Sequence, residues 1–132
     1  MLGTIRKKRS ARALVEAFNT HDAAAVVASV THDCRFIDSS GGCIEGHDAI
    51  RNATAQFMQM EPAFEIIVES SSVMEDEVLM RGTTKATDPL VAKDRLWRAR
   101  IRDGLVCEWQ SFCDGEAQRL ARMLAPEDAR VY

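Results

Sequence analysis

From about Ile5 to Asn19 the apolar residues Ala11, Leu14, Val15 and Phe18 fall three or four positions apart, the repeat of a helix with one buried stripe. The polar "NTHD" breaks that pattern, and Asp22 is placed to cap a second, short helix, "AAAVVASV". "CRFID" reads as a strand, with Cys43–Ile44 as a short partner after two glycines. In "HDAIRNATAQFMQM" the positions Ile50, Ala53, Phe57 and Met60 return to helical spacing, until Pro62 stops the helix. The rest is strand-like: "AFEIIVESSSV", then "EVLMRGTTKAT" after the acidic "MEDE" turn. "LVAKDRLWRARI" and "LVCEWQSFC" follow, joined by "RDG", where glycine supplies a positive φ. Asp114 or a neighbour caps a last helix around "EAQRLARML", closed by Pro126.

Helices first and a strand meander afterwards predict an α+β fold, a cone-shaped roll in which the N-terminal helices pack on a curved antiparallel sheet. The 132 residues suit a single domain, 1–132. Alternation along the last strand sets Cys107, Trp109 and Ser111 on one side and Val106, Gln110 and Phe112 on the other. Large residues on both sides imply a second apolar face that so short a chain covers only with another copy. The expectation is therefore a homodimer formed through the sheet face.

Composition narrows the function. The chain is 46% hydrophobic and 28% charged, as in soluble globular proteins, with a net charge of -3. That balance argues against nucleic acid, and the basic "IRKKRSAR" runs straight into a helical stripe, so it reads as a solvated helix face. The sequence carries neither a membrane span nor a signal-peptide pattern, which points to a cytoplasmic protein. Cys34, Cys43, Cys107 and Cys113 lack zinc-site spacing, and His21, His32 and His47 are scattered. Free thiols, no metal and no cofactor are expected, since a glycine-rich phosphate loop is also absent.

The chain resembles the nuclear transport factor 2-like superfamily, in its SnoaL-like polyketide cyclase and ketosteroid isomerase branch. The resemblance runs from about Ala11 to Asp114, on "ALVEAFNTHDAAAVVASVTHDCRFID", "GGCIEGHDAIR" and "RDGLVCEWQSFCD". It implies the cone-shaped fold and a small-molecule site, on a scaffold that hosts enzymes and non-catalytic binders alike. Asp38 falls where ketosteroid isomerases place the general base that moves a proton beside a carbonyl. The oxyanion tyrosine of that group maps to Leu14, and its neutral aspartic acid maps near Trp97. The paired aspartates of related epoxide hydrolases map near Thr84 and at Ser111, and the last-strand acid of SnoaL-like cyclases also maps to Ser111.

These readings leave one carboxylate in the expected apolar cone. As the catalytic candidate, Asp38 requires an apolar pocket that raises its pKa; as an ordinary residue before "SSGG", it caps a turn with backbone hydrogen bonds. The candidate ligand lining is Leu14, Phe18, Phe57, Met80, Arg95, Trp97, Trp109 and Ser111. Arg95 shares strand parity with Trp97, so its guanidinium is able to reach a carboxylate or enolate. Arg98, Arg100 and Arg102 have the opposite parity and form a solvated or interface stripe, with Arg81 expected at the dimer face. His47 reads as a capping residue, and Met58, Met60, Met74 and Met80 as gap fillers or adaptable lining. The ligand class that follows is a small apolar molecule bearing a carbonyl. The chain is either a cofactor-independent isomerase or cyclase, or a non-catalytic binding or dimerisation module.

Overall fold

Helix α1 (Leu2–Asn19) opens the computed structural model, which describes residues 2–113. Its buried residues are Ala11, Leu14, Val15 and Ala17, as the spacing requires. The end of α1 is fastened to the sheet by one side chain. The Asn19 amide donates to the Ile66 carbonyl at 2.9 Å and accepts the Ile66 N–H at 2.7 Å. It thereby supplies the hydrogen bonds that a neighbouring strand would have made. His21 adds a contact from its ring Nε2 to the Phe64 carbonyl, at 2.9 Å.

Asp22 caps α2 (Ala23–Ala28), its carboxylate accepting the Ala25 N–H at 3.0 Å. This helix is shorter than the sequence pattern suggests, because β1 (Val30–Ile37) has already begun at Val30. Val30 lies opposite Val106, and β-branched residues gain more from that pairing than from another helical turn. After β2 (Cys43–Glu45) and α3 (His47–Met60) come β3 (Glu65–Met74), β4 (Glu77–Lys85), β5 (Asp94–Arg102) and β6 (Leu105–Cys113). Residues 90–93 fall outside β5. Asp88 turns the chain there, accepting the Leu90 N–H on its side chain and the Val91 N–H on its carbonyl, both at 2.9 Å. The expected last helix, from Asp114 onward, lies outside the described residues.

The six strands form one curved, unclosed sheet in the order β2-β1-β6-β5-β4-β3. It is mixed rather than wholly antiparallel, since β1 runs parallel to β6. The β5–β6 hairpin closes on Asp103 and Gly104, whose φ angles of 54° and 78° are those of a type I′ turn. In β3 the register shifts between Val68 and Ser70, pressing that strand onto β4. A Cβ at Gly82 would lie 1.8 Å from the Ile67 carbonyl oxygen, so only glycine fits there.

The helices lie against one face of the sheet, and the core between them holds Leu14, Val26, Ile50, Val78, Met80 and Trp97. A second register shift, between Arg100 and Ile101, inserts one extra residue into β6. It breaks the simple alternation expected there. Val106 is fully buried in the core, while Cys107 lines a groove on the outer face.

The outer face is more charged than the reading of an apolar second face implied. Glu108, 6% exposed, accepts from both Arg98 and Arg35; Arg98 also meets Glu77, and Arg102 meets Asp33. The expected arginine stripe is therefore an ion network, with Leu96 exposed beside it and Arg81 also exposed. Among the described residues, no helix is long and apolar enough to cross a membrane.

Candidate functional site

The inner face of β5 and β6 carries the candidate lining, and it divides by depth. Leu14, Met80 and Trp97 are at most 2% exposed, with Trp97 and Trp109 stacked at a centroid distance of 6.3 Å. This deep layer is packed core. Nearer the surface, Phe18 is half-buried and lies 5.8 Å from Phe36 and 5.9 Å from Trp109, both tilted contacts. Phe57 meets Phe64 edge-on at 4.8 Å, on the α3 side. Its aromatic contact is thus with a different ring from those of Phe18 and Trp109.

Arg95 and Ser111 are brought together. The half-buried Arg95 guanidinium donates from Nη1 to Ser111 Oγ at 3.2 Å and to Cys113 Sγ at 3.1 Å. Its Nε donates to Thr84 Oγ1 at 3.1 Å and its Nη2 to the Val91 carbonyl at 3.0 Å. Thr84 Oγ1 accepts the Lys93 N–H, and its hydroxyl proton is donated to the Val91 carbonyl, with the Lys93 carbonyl at 3.3 Å as a more distant acceptor. Every partner of this cation is formally neutral, and among the described residues no carboxylate pairs with it. A guanidinium has five N–H groups; these contacts use one on Nε, two on Nη1 and one on Nη2. Among the described residues, one N–H of Nη2 is left over.

Asp38 stands just past the end of β1. Phe36 pairs with Trp109 and Ile37 with Gln110, so the register carried one step further sets Asp38 level with Ser111. Its side chain is exposed and turned into its own loop: Oδ1 accepts from the Ser40 N–H at 2.9 Å, the Ser40 hydroxyl at 2.8 Å and the Gly42 N–H at 2.8 Å. Partial burial pushes its pKa up, but the hydrogen bonds from Ser40 and Gly42 outweigh that and hold the carboxyl below the ordinary aspartate value. The raised pKa expected of an apolar pocket is therefore corrected, because the group sits in a polar turn. Oδ2 receives none of these bonds.

His47, at the start of α3, places its Nε2 3.1 Å from the Val30 carbonyl and stacks on His32 at 4.3 Å. It ties α3 to β1 instead of capping the helix, whose N-cap is Gly46 with no side-chain cap hydrogen bond. The outer-face groove, about 510 Å³, is bordered by Asp33, Arg35, Arg100, Arg102 and Glu108, charges largely committed to one another. Among the described residues there is no cluster of metal-ligating side chains.

Sequence reasoning missed two parts of this site. One is the Val91 carbonyl, which lay in a segment read as strand. The other is Glu61, buried at the end of α3, whose carboxylate accepts the Thr87 N–H at 2.7 Å and the Asp88 N–H at 3.1 Å. The available signal was an acid directly before Pro62, at a helix C-terminus, where the helix dipole disfavours negative charge.

Comparison with known proteins agrees with this architecture. Residues 11–109 match the family described as SnoaL-like domain. Among curated proteins, none matches the chain. Among solved structures, an LEH-like epoxide hydrolase from M. tuberculosis is 16% identical with a TM-score of 0.74, covering 95% of this chain and 99% of its own. A putative polyketide cyclase from Sinorhizobium meliloti is 17% identical with a TM-score of 0.71, covering 78% and 93%. An uncharacterised cystatin-fold protein from Novosphingobium aromaticivorans is 19% identical with a TM-score of 0.71, covering 80% and 97%. At these identities the structures establish the shared fold. With the match across residues 11–109, the chain belongs to the SnoaL-like domain family of the nuclear transport factor 2-like superfamily.

Proposed function

We propose that the protein binds a small apolar molecule bearing a carbonyl group against the inner face of its sheet. In this reading the ligand's apolar body lies against Phe18 and Trp109, and its carbonyl oxygen accepts the remaining Nη2 proton of Arg95, beside Ser111. The observation that carries it is the Arg95 guanidinium, a half-buried cation held, among the described residues, only by neutral groups. A carbonyl oxygen would supply the one acceptor this guanidinium lacks among the described residues, a hydrogen bond strengthened by the cation's charge. A single free N–H suits one oxygen better than the two of a carboxylate.

The test is a thermal-shift panel of steroids, aromatic polyketides, fatty acids and small ketones on wild-type protein and Arg95→Met. A ligand at about a hundred times its Kd adds roughly 2.7 kcal/mol, which moves Tm by several degrees. A carbonyl compound is expected to give that shift on wild type and to lose most of it on the variant. A shift that survives intact in Arg95→Met, or a panel flat throughout, removes the proposal.

A second reading, a cofactor-independent isomerase or cyclase with Asp38 as general base, draws on the unoccupied Oδ2 at the level of Ser111. Its lowered pKa makes Asp38 a weaker base, and neither Leu14 nor the buried Trp97 reproduces the oxyanion pair of ketosteroid isomerases. Binding therefore stands first. An Asp38→Asn variant that keeps the ligand shift but loses measurable turnover of that ligand would reverse the order.

A further inference from the structure

We infer that Glu61 is a positioning residue for Arg95, acting through the loop between β4 and β5. Glu61 is the C-cap of α3 and is 7% exposed. A carboxylate buried at the negative end of a helix is in an unfavourable place, and here no cation pairs with it among the described residues. Its compensation is a pair of backbone donors, the N–H groups of Thr87 and Asp88 at 2.7 and 3.1 Å. Such a group fixes the chain that supplies those donors.

The hydrogen bonds continue from there without a gap. The Asp88 carbonyl accepts the Val91 N–H at 2.9 Å and the Ala92 N–H at 3.0 Å, and the Asp88 side chain accepts the Leu90 N–H at 2.9 Å. Those three bonds wind residues 88–92 into a closed turn whose outward carbonyl is that of Val91. That carbonyl receives Thr84 Oγ1–H on one side and Arg95 Nη2 on the other. The far end of the chain is therefore the one guanidinium nitrogen with a proton to spare among the described residues.

The arrangement gives the loop two effects on Arg95. It holds the guanidinium plane, because Nη2 on Val91 and Nε on Thr84 are two fixed points at one edge. It also sets how many donors Arg95 offers: with Val91 in place Nη2 has one free N–H, and with Val91 withdrawn it has two. Glu61 makes no direct contact with Arg95, so it acts on the site only through this relay.

The inference rests on the proposed role of Arg95 for its functional meaning, but it is testable without a ligand. The readout is the Arg95 Nε–H resonance, assigned by its absence from Arg95→Met. Its hydrogen exchange is measured in wild type, Glu61→Ala and Glu61→Gln, with the Trp97 indole N–H as the monitor of the core. The expected result in Glu61→Ala is an Arg95 Nε–H that exchanges about tenfold faster or more, with the Trp97 signal unmoved. Glu61→Gln, which keeps one acceptor oxygen, is expected to lie between. Should Glu61→Ala fail to fold, the Glu61→Gln comparison stands alone, with the same direction required.

The inference is overturned if Thr87 and Asp88 amides lose protection while Arg95 Nε–H exchange stays as in wild type. Glu61 would then be a loop staple and nothing more. The ligand arm separates the two claims. Faster Arg95 exchange in Glu61→Ala, together with a ligand shift that Arg95→Met leaves intact, supports the positioning of Arg95 and sinks its assignment to the ligand.

Discussion

Arg95 and Arg98 lie three positions apart on β5, on opposite faces of the same sheet, and the two faces treat them differently. Arg98 faces outward between Glu77 and Glu108, with Gln110 at 3.1 Å, and Glu108 is shared with Arg35. Burial alone would push the Glu108 carboxyl up, but the hydrogen bonds from Arg98 and Arg35 hold it below the ordinary glutamate value. On that face the charges are mutually satisfied. Arg95 faces inward beside Trp97, and its partners among the described residues are hydroxyls, a thiol sulfur and a carbonyl. The lesson is that exposure or parity alone does not mark a functional arginine. A cation whose neighbours leave its charge uncompensated is the one that has something left to bind.

The comparison breaks most visibly through the packing on which the inner face depends. Trp97→Ala removes a fully buried indole from between Met80, Trp109 and the helices, and a loss of about 4 kcal/mol is expected in denaturant melts. Glu108→Ala comes next. It takes from exposed Arg35 its partner and from Arg98 one of two carboxylates, Glu77 remaining, and about 2 kcal/mol is expected, between the cost of an exposed pair and that of a fully buried one. If Glu108→Ala costs no more than an exposed pair, under about 1 kcal/mol, the outer network is decoration and the contrast with Arg95 fails.

A pH series sharpens the same point with a smaller effect. Because the folded-state pKa of Glu108 is lowered, its contribution is complete above the ordinary glutamate range and is lost as pH falls through the folded value. The stability gap between wild type and Glu108→Gln should therefore be constant near neutrality and shrink below about pH 4.5. A gap that stays constant into that acid range contradicts the ion-pair origin of the effect.

How much of this was legible in the chain depends on whether a feature is local. The α1 stripe, the Asp22 cap, the "RDG" hairpin and the parity of Arg95 against Arg98 follow from spacing, and each stands as read. Features set by pairing partners were not legible. The β-branched "VV" of α2 did not show that Val30 would leave the helix for β6, and alternation through Cys107 failed because a bulge adds a residue that no period predicts. Asp38 illustrates both halves. Its two readings, turn cap or pocket base, were visible in "DSSGG", and the structure supplies the hydrogen bonds to Ser40 and Gly42 that give it a lowered pKa. Glu61 stood out only as an acid before Pro62 at a helix end; its partners, backbone N–H groups 26 and 27 residues away, were beyond reach from sequence.

The smallest effect is expected at Arg95 itself, and its smallness is the informative part. Arg95→Met deletes four hydrogen bonds, yet the three oxygen acceptors each have another route to satisfaction. Thr84 Oγ1 keeps the Lys93 N–H, the Val91 carbonyl keeps the Thr84 hydroxyl, and Ser111 is half-buried, within reach of water. The substitution also removes a charge that no described carboxylate pairs and places an apolar chain beside Trp97, which offsets part of the loss. A change within about 1 kcal/mol of wild type, of either sign, is expected from parallel urea melts. Arg98→Met, which takes a cation from buried Glu108, should cost clearly more in the same melts. If the two substitutions cost the same, Arg95 is as structural as Arg98, and the inner-face cation loses its claim to a ligand.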